Sequence, residues 1–264
     1  MTTLQTVFAR AKADDRAALI GYLPAGFPTK DGAIAAAAAM VDAGCDVIEI
    51  GLPYSDPLMD GPTIQDAVHR SLTNGTRIAD VLRTVEGVAK TGAATLVMTY
   101  WNPIDRYGAD RFARGLADAG GVGTITPDLT PEEAEPWREA SAAAGIDTVF
   151  LVAPSSPESR IKAVVGCCTG FVYAASLMGV TGARESVGEA AQGLVERTRL
   201  QTDMPVCVGL GVGTGKQAAE VARYADGVIV GSAFIRRLLD APDEASGLAA
   251  VRELGAELAA GVRR

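Results

Sequence analysis

Glu49 lies in a short β-branched segment, residues 47–51 (VIEIG), in which the four remaining residues are all apolar or glycine. Strand alternation places Val47 and Glu49 on one face and the two isoleucines on the other. If both faces are covered, the carboxylate leaves bulk water, and burial without a partner raises its pKa. Such a carboxyl group can donate and recover a proton near neutral pH. The alternative is an ion pair with a buried Arg or Lys, but no strand segment offers an obvious partner.

Asp60 follows nine residues after the end of this segment, in a Pro- and Asp-rich stretch that also contains Asp56. Both carboxylates could cap turns or the helix predicted to begin near Thr63. Asp60 could equally act beside Glu49 as a second functional carboxylate. The residue types alone leave both interpretations open.

Three glycine-containing turns follow late strand segments, at residues 179–182 (GVTG), 209–212 (GLGV) and 231–232 (GS). Glycine lets backbone N–H groups approach an anion, and the last turn also opens a helix, whose N-terminus favours negative charge. Parallel barrels often bind a phosphate between the loops after strands seven and eight. The three turns together predict a composite phosphate site.

Other reactive side chains are poorly placed for catalysis. The only histidine, His69, falls on a helical segment and is predicted to lie at the surface, which argues against Ser–His or His–metal chemistry. No lysine lies in a strand interior, where a Schiff-base enzyme would hold its nucleophile. The cysteines show no metal-binding spacing and are predicted to be reduced core thiols: Cys45, Cys167, Cys168 and Cys207. No metal site is predicted, and chemistry carried out by carboxylates is the class of reaction that remains after these exclusions.

The elements that must position these residues alternate between short strands and Ala-rich amphipathic helices. The predicted strands are 18–23, 47–51, 95–100, 122–126, 148–152, 170–174, 206–209 and 227–230. The clearest predicted helices are 64–72, 78–89, 132–144, 187–198 and 216–223. Eight strands that each feed a helix predict a closed (β/α)₈ TIM barrel. The alternative, an open Rossmann-type sheet, lacks a strand followed by GxGxxG and a helix.

The chain length of 264 residues suits one such barrel, so residues 1–264 are predicted to form a single domain. The spacing of Leu4, Val7 and Phe8 predicts an extra N-terminal helix, and residues 52–76 form an extended connection after the second strand. The net charge of −8 argues against a nucleic-acid partner. No signal-peptide pattern and no apolar run of membrane-spanning length occurs, which predicts a cytoplasmic protein.

The stretch 48–65 (IEIGLPYSDPLMDGPTIQ) resembles the signature of the tryptophan synthase alpha chain family. Supporting segments are 22–28 (YLPAGFP), 98–103 (MTYWNP), 127–129 (PDL), 179–184 (GVTGAR) and 230–233 (VGSA). The resemblance covers essentially the whole chain. It implies a carbon–carbon lyase that cleaves indole-3-glycerol phosphate to indole and glyceraldehyde 3-phosphate. Glu49 matches the family's general acid/base, and Asp60 matches the carboxylate that holds the indole N–H.

The resemblance also implies the remaining contacts. Substrate-binding positions are Tyr22, Tyr100, Tyr173, Thr181 and Leu210, with Met98, Ile125 and Leu151 as further candidates for the indole pocket. Phosphate-binding positions are Gly182, Gly211, Gly231 and Ser232. The chain departs from the common family pattern at Met59, at Leu177, and at Tyr22 and Leu210, where Phe is frequent. None of these departures removes a catalytic group.

A beta-chain partner follows from the same resemblance. That chain carries pyridoxal phosphate and condenses the indole with serine, whereas the alpha chain is expected to need no cofactor of its own. An α₂β₂ heterotetramer is implied, with residues 53–57 and 102–107 as candidate contact segments. A lyase that works without a beta chain would use the same residues. A non-catalytic sugar-phosphate-binding barrel and a phosphoribosyl isomerase are lesser alternatives, because neither explains both the buried Glu49 and the long carboxylate loop.

Overall fold

The structure, a computed structural model, describes residues 3–175, 184–209 and 211–263. Its described strands form one parallel sheet with the order β5-β4-β3-β2-β1-β9-β8-β7-β6. The strands are β1 (Ala18–Pro24), β2 (Val47–Gly51), β3 (Ala94–Met98), β4 (Gly123–Ile125), β5 (Asp147–Val149), β6 (Leu151–Val152), β7 (Val172–Ala175), β8 (Val206–Gly209) and β9 (Gly227–Val230).

The two edges of this sheet, β5 and β6, are separated in the chain by Phe150 alone. The Thr126 backbone N–H donates to the Val149 carbonyl (3.2 Å), and the Tyr173 N–H donates to the Phe150 carbonyl (3.1 Å). One continuous stretch therefore pairs with both of its neighbours and closes the sheet. The predicted (β/α)₈ barrel is confirmed and the open Rossmann-type sheet is wrong. The fifth predicted strand appears as two short segments because the pairing partner changes at Phe150.

Helices cover the outside of the barrel. They are α1 (Leu4–Ala13), α2 (Lys30–Asp42), α3 (Pro62–Thr73), α4 (Ile78–Ala89), α5 (Trp101–Tyr107), α6 (Ala109–Asp118), α7 (Glu135–Ala144), α8 (Glu158–Val165), α9 (Arg184–Arg199), α10 (Gly215–Ala222), α11 (Ser232–Leu239) and α12 (Glu244–Gly261). Within the described ranges, no helix is both long enough and apolar enough to cross a membrane.

The third strand is shorter than predicted. It ends at Met98, because Tyr100 is already the N-cap of α5. The helix predicted from residue 132 begins only at Glu135, because residues 130–133 form a turn in which the Glu133 N–H donates to the Thr130 carbonyl (3.0 Å). Both differences bring loop residues to the carboxyl ends of the strands, where barrels place functional groups.

The buried apolar residues form two separate clusters, one inside the barrel and one between the strands and the helices. The residues that point into the barrel include Ile20, Val47, Leu96 and Cys207, whereas the other strand face packs against the helices. The predicted N-terminal helix is α1. It inserts Leu4, Val7 and Phe8 into the inner cluster and closes the barrel at the amino ends of the strands, where the Phe8 and Phe171 rings meet at 5.8 Å. In the described part of the chain, α1 therefore covers the amino ends of the strands, which leaves the carboxyl ends as the side for ligand entry.

Candidate active site

Glu49 has no exposed surface. It lies on β2 between Tyr22 of β1 and Leu96 of β3 in register, on the same inward face as Val47. Neither carboxylate oxygen has a hydrogen-bond partner among the residues that the structure describes. The loss of hydration raises the pKa of Glu49 from 4.5 to about 8. The ion pair considered as an alternative from the sequence is therefore not found among these residues, and the carboxyl group titrates near neutral pH.

Two tyrosines flank this carboxyl group, and each rests on a glycine of the next strand. The hydroxyl end of Tyr22 (β1) lies against the Cα of Gly51 at the end of β2, and that of Tyr173 (β7) lies against Gly209 at the end of β8. A Cβ atom on either glycine would overlap the phenol. Burial is the largest cause that raises the pKa of both tyrosines well above 10, and Glu49 contributes in each case. Both phenols therefore remain protonated.

Asp60 is only partly buried and reaches the mouth of the barrel from the loop after β2. The Tyr100 hydroxyl donates to Asp60 Oδ1 (3.2 Å) and accepts from the backbone N–H groups of Leu58 (3.1 Å) and Met59 (3.0 Å). One phenol thus fixes three consecutive residues of the loop. Burial raises the pKa of Asp60, and the hydrogen bond from Tyr100 acts in the opposite direction. Burial also raises the pKa of Tyr100 to about 12.

The capping interpretation of Asp60 is wrong. The helix that follows, α3, has Gly61 as its N-cap and no side-chain capping bond, and Gln65 Nε2 donates to the backbone carbonyl of Asp60 (2.7 Å). The Asp60 side chain is left to face Tyr100. Asp56, in contrast, is exposed and accepts a hydrogen bond from Ser55 (2.5 Å).

The two candidate partner segments lie next to each other at the same mouth. The rings of Tyr54 and Tyr100 contact each other in a tilted arrangement at a centroid distance of 5.5 Å, and Asn102 Nδ2 donates to the Tyr54 hydroxyl (3.0 Å). Leu58 and Met59, between these segments and Asp60, are 75% and 47% exposed. The Asp60 loop thus presents apolar side chains outward while its carboxylate is held inward.

Three of the predicted phosphate residues, Gly211, Gly231 and Ser232, follow β8 and β9. Gly211 has φ +61°, a backbone conformation that favours glycine. Gly231 is the N-cap of α11, which begins at Ser232, and no side chain caps this helix. Its first N–H groups are therefore available to an anion. Gly182, Thr181 and Leu210, together with Leu177, lie outside the described residues.

Several features were missed from the sequence. The inward-facing Cys207 lies beside Tyr173 in register, and burial raises its pKa well above 9. The repeated pattern of a polar residue two positions before a glycine, at Glu49–Gly51 and Cys207–Gly209, was the available signal for the tyrosine–glycine contacts. Two further predictions agree with the structure: His69 is exposed and the four cysteines are free and buried. No metal-binding group of His, Cys, Asp or Glu occurs in the described part of the chain.

A sequence profile of the tryptophan synthase alpha chain matches residues 8–263. The chain belongs to this family. The tryptophan synthase alpha chain of Streptomyces avermitilis is 62% identical over 261 residues, which cover 98% of this chain and 94% of that protein. The alpha chain of Thermobifida fusca is 60% identical over 266 residues and is covered to 98%.

Solved structures agree with this assignment. A chain of the Mycobacterium tuberculosis tryptophan synthase is 53% identical, with full coverage of both chains and a TM-score of 0.92. The Legionella pneumophila tryptophan synthase subunit alpha is 32% identical, with a TM-score of 0.90 and coverage of 99% and 98%. The reaction of a tryptophan synthase alpha chain is a lyase reaction, the cleavage of indole-3-glycerol phosphate, and it is the reaction of this chain.

Proposed function

We propose that Glu49 is the general acid and base of indole-3-glycerol phosphate cleavage. The observation that supports this role is the complete burial of an unpaired carboxyl group at the inner wall of the barrel, which moves its pKa to about 8. A proton donor that must later accept a proton works best when its pKa lies near the working pH.

Glu49 would first donate its proton to C3 of the indole ring, which converts the ring into an indoleninium and makes it a competent leaving group. The carboxylate then removes the proton of the adjacent side-chain hydroxyl. The O–H electron pair forms the aldehyde C=O bond. The bond between C3 and the hydroxyl-bearing side-chain carbon breaks, and its electron pair returns to the positively charged ring. Indole and glyceraldehyde 3-phosphate leave, and Glu49 is protonated again.

Asp60 would accept a hydrogen bond from the indole N–H, where positive charge develops after C3 is protonated. Tyr100 supports this role because its hydroxyl occupies Oδ1 and fixes the loop, so the other oxygen, Oδ2, is available to the substrate. The indole would lie between Asp60 and Glu49, with Tyr22, Tyr100 and Tyr173 around it. Thr181 and Leu210 stay proposed contacts on the basis of family membership.

The phosphate would be bound by backbone N–H groups at Gly182, Gly211, Gly231 and Ser232. The N-terminus of α11 supports this assignment, since its first N–H groups have no side-chain cap and favour an anion. The substrate would then span the mouth from the Asp60 loop to the end of β9.

The partner is a tryptophan synthase beta chain, in an α₂β₂ complex. We place the contact surface on residues 53–57 and 102–107, which adjoin through the Asn102–Tyr54 hydrogen bond. The chemistry described here uses side chains of this chain alone, and pyridoxal phosphate would be held by the beta chain. We further propose that residues 1–264 form a single domain and that the protein is cytoplasmic.

The direct test is indole release from indole-3-glycerol phosphate by the purified chain, measured with and without a beta chain. Equal amounts of indole and glyceraldehyde 3-phosphate are expected, with strong activation by the beta chain. High activity that a beta chain does not change would indicate a lyase that acts alone. Absence of indole under both conditions would contradict the proposed function.

A further inference from the structure

The Tyr22 hydroxyl is a polar group at the mouth of the barrel that the steps above do not use. Tyr22 stands beside Glu49 in register and is only 7% exposed. Two glycines hold its ring in place: the hydroxyl end lies on Gly51, and a Cβ atom at Gly231 would lie 3.0 Å from Tyr22 Cδ1. The phenol therefore extends across the top of β1, from the proposed phosphate end toward the two carboxylates.

This hydroxyl has no hydrogen-bond partner among the described residues. Glu49 has none for either oxygen, and the Asp60 side chain is bonded to Tyr100. Its titratable neighbours in the described structure are Asp60, Glu49, Tyr100 and Tyr173. Burial together with the nearby carboxylates keeps the pKa of Tyr22 well above 10, so the hydroxyl carries its proton and can donate. Because no described residue accepts the proton of this hydroxyl, an acceptor on a bound ligand can take the hydrogen bond.

The substrate offers few acceptors at this place. The indole ring has an N–H donor and no free lone pair, and the phosphate is assigned to the backbone at the ends of β8 and β9. The hydroxyl oxygens on the glycerol side chain of the substrate are the remaining acceptors. We infer that the Tyr22 hydroxyl donates a hydrogen bond to the hydroxyl oxygen on the side-chain carbon attached to indole C3. This is the oxygen that becomes the aldehyde carbonyl. This inference rests on the proposed function of Glu49.

The hydrogen bond would assist the step in which Glu49 removes the proton from that oxygen. As the O–H bond breaks and the C=O bond forms, partial negative charge develops on the oxygen, and a fixed donor stabilises it. Tyr22 keeps its own proton throughout. In the reverse direction the same donor polarises the carbonyl group of glyceraldehyde 3-phosphate.

Tyr22→Phe tests this role, because the ring stays between Gly51 and Gly231 and only the hydroxyl is lost. We expect kcat for indole formation to fall roughly 10- to 100-fold, somewhat less than for loss of an oxyanion-hole donor, and KM to rise about three- to tenfold because a hydrogen bond to the bound substrate is also lost. The matched control is Tyr224→Phe. Its buried hydroxyl also lacks a partner in the described structure but lies before β9, at the opposite end of the barrel. This control should have the wild-type kcat.

The Kd values of two ligands then distinguish a hydrogen bond from Tyr22 to the substrate from a role in packing. In the inactive Glu49→Gln background, the Kd of indole-3-glycerol phosphate should rise about three- to tenfold on adding Tyr22→Phe. The Kd of 3-(indol-3-yl)propyl phosphate, which lacks both side-chain hydroxyls, should be unchanged or lower. If both ligands weaken equally, Tyr22 only packs against the indole and the inference is wrong.

A wild-type kcat in Tyr22→Phe would also overturn the inference while leaving the proposed function intact. Failure of the proposed function would look different, since the wild-type chain and the Tyr224→Phe control would then release no indole either.

Discussion

Two strand pairs at the mouth of this barrel share one geometry and differ in one residue. In the β1–β2 pair, Tyr22 stands beside Glu49 and rests on Gly51; in the β7–β8 pair, Tyr173 stands beside Cys207 and rests on Gly209. Glu49 and Cys207 are both fully buried. The architecture therefore provides two equivalent positions for a titratable group.

Burial has opposite chemical consequences at these two positions. It moves the pKa of Glu49 to about 8, so the carboxyl group exchanges protons near neutral pH. It moves the pKa of Cys207 from 9 to well above that value, so the thiol stays protonated and inert. For groups that ionise to an anion, desolvation brings the pKa near the working pH only where the ordinary pKa lies below that pH.

The largest expected effect comes from Glu49→Gln, which keeps the size of the side chain and removes its acid–base chemistry. We expect kcat for indole formation to fall between about 10²- and 10⁴-fold, the usual range for loss of a general acid or base. Circular dichroism and thermal denaturation should show an intact fold. A variant with near-normal turnover would remove Glu49 from the mechanism and make the two strand pairs chemically equivalent.

Asp60→Asn should produce the next largest loss, because the amide keeps the shape of the side chain but cannot offset the charge on the indole ring. The expected fall in kcat is about 10²-fold, typical of losing one electrostatic contact to a transition state. Asp66→Asn is the control, since Asp66 is exposed and pairs with Arg70 on α3. An unchanged rate in Asp60→Asn would mean that the hydrogen bond from Tyr100 serves only loop structure.

Much of the β1–β2 pair could be predicted from the sequence. The alternation in residues 47–51 predicted that Glu49 shares one strand face with Val47, and burial on both faces of a closed barrel predicted its raised pKa. The number of strand–helix repeats identified the barrel. These inferences succeed because they depend on local periodicity and on a desolvation penalty that applies to any buried carboxylate.

The sequence could not show contacts that depend on how distant segments meet. Nothing near Asp60 indicates that a phenol 40 residues later would bind its side chain, or that Gly61 would replace it as the helix N-cap. The end of β3 at Met98 and the interruption at Phe150 are likewise set by helix capping and barrel closure. The β7–β8 pair went unnoticed because Cys207 looks like any buried thiol until its register with Tyr173 is known.

Gly51→Ala would disturb the β1–β2 pair without touching either carboxylate. The new Cβ atom would overlap the Tyr22 phenol, so the tyrosine must move from its place beside Glu49. We expect kcat/KM to fall roughly 10- to 100-fold, as for an ångström-scale misplacement of a binding group. Gly193→Ala on α9, where an added Cβ meets no atom within 4 Å, is the matched control. Equal activity of the two variants would show that the position of Tyr22 is unimportant.

The pH dependence should reveal the titration of Glu49 in two ways. Cleavage starts from the protonated carboxyl group, so kcat/KM should decrease about tenfold per pH unit above pH 8.

Because the folded-state pKa is raised, the unfolded chain binds fewer protons between about pH 4.5 and 8, and this group lowers the free energy of unfolding by about 1.4 kcal/mol per pH unit there. The Glu49→Gln variant should lack this contribution. Parallel stability curves for the variant and the wild type would contradict the raised pKa.

The smallest effect should come from Cys207→Ala, the change at the position equivalent to Glu49. A thiol that stays protonated contributes packing only, so kcat should remain within about twofold of the wild type while the free energy of unfolding falls by about 1 kcal/mol for the lost sulfur contact. Indole assays and urea denaturation measure the two quantities separately. A large loss of kcat with little loss of stability would mean that the β7–β8 pair takes part in the reaction, and the contrast between the two pairs would have to be abandoned.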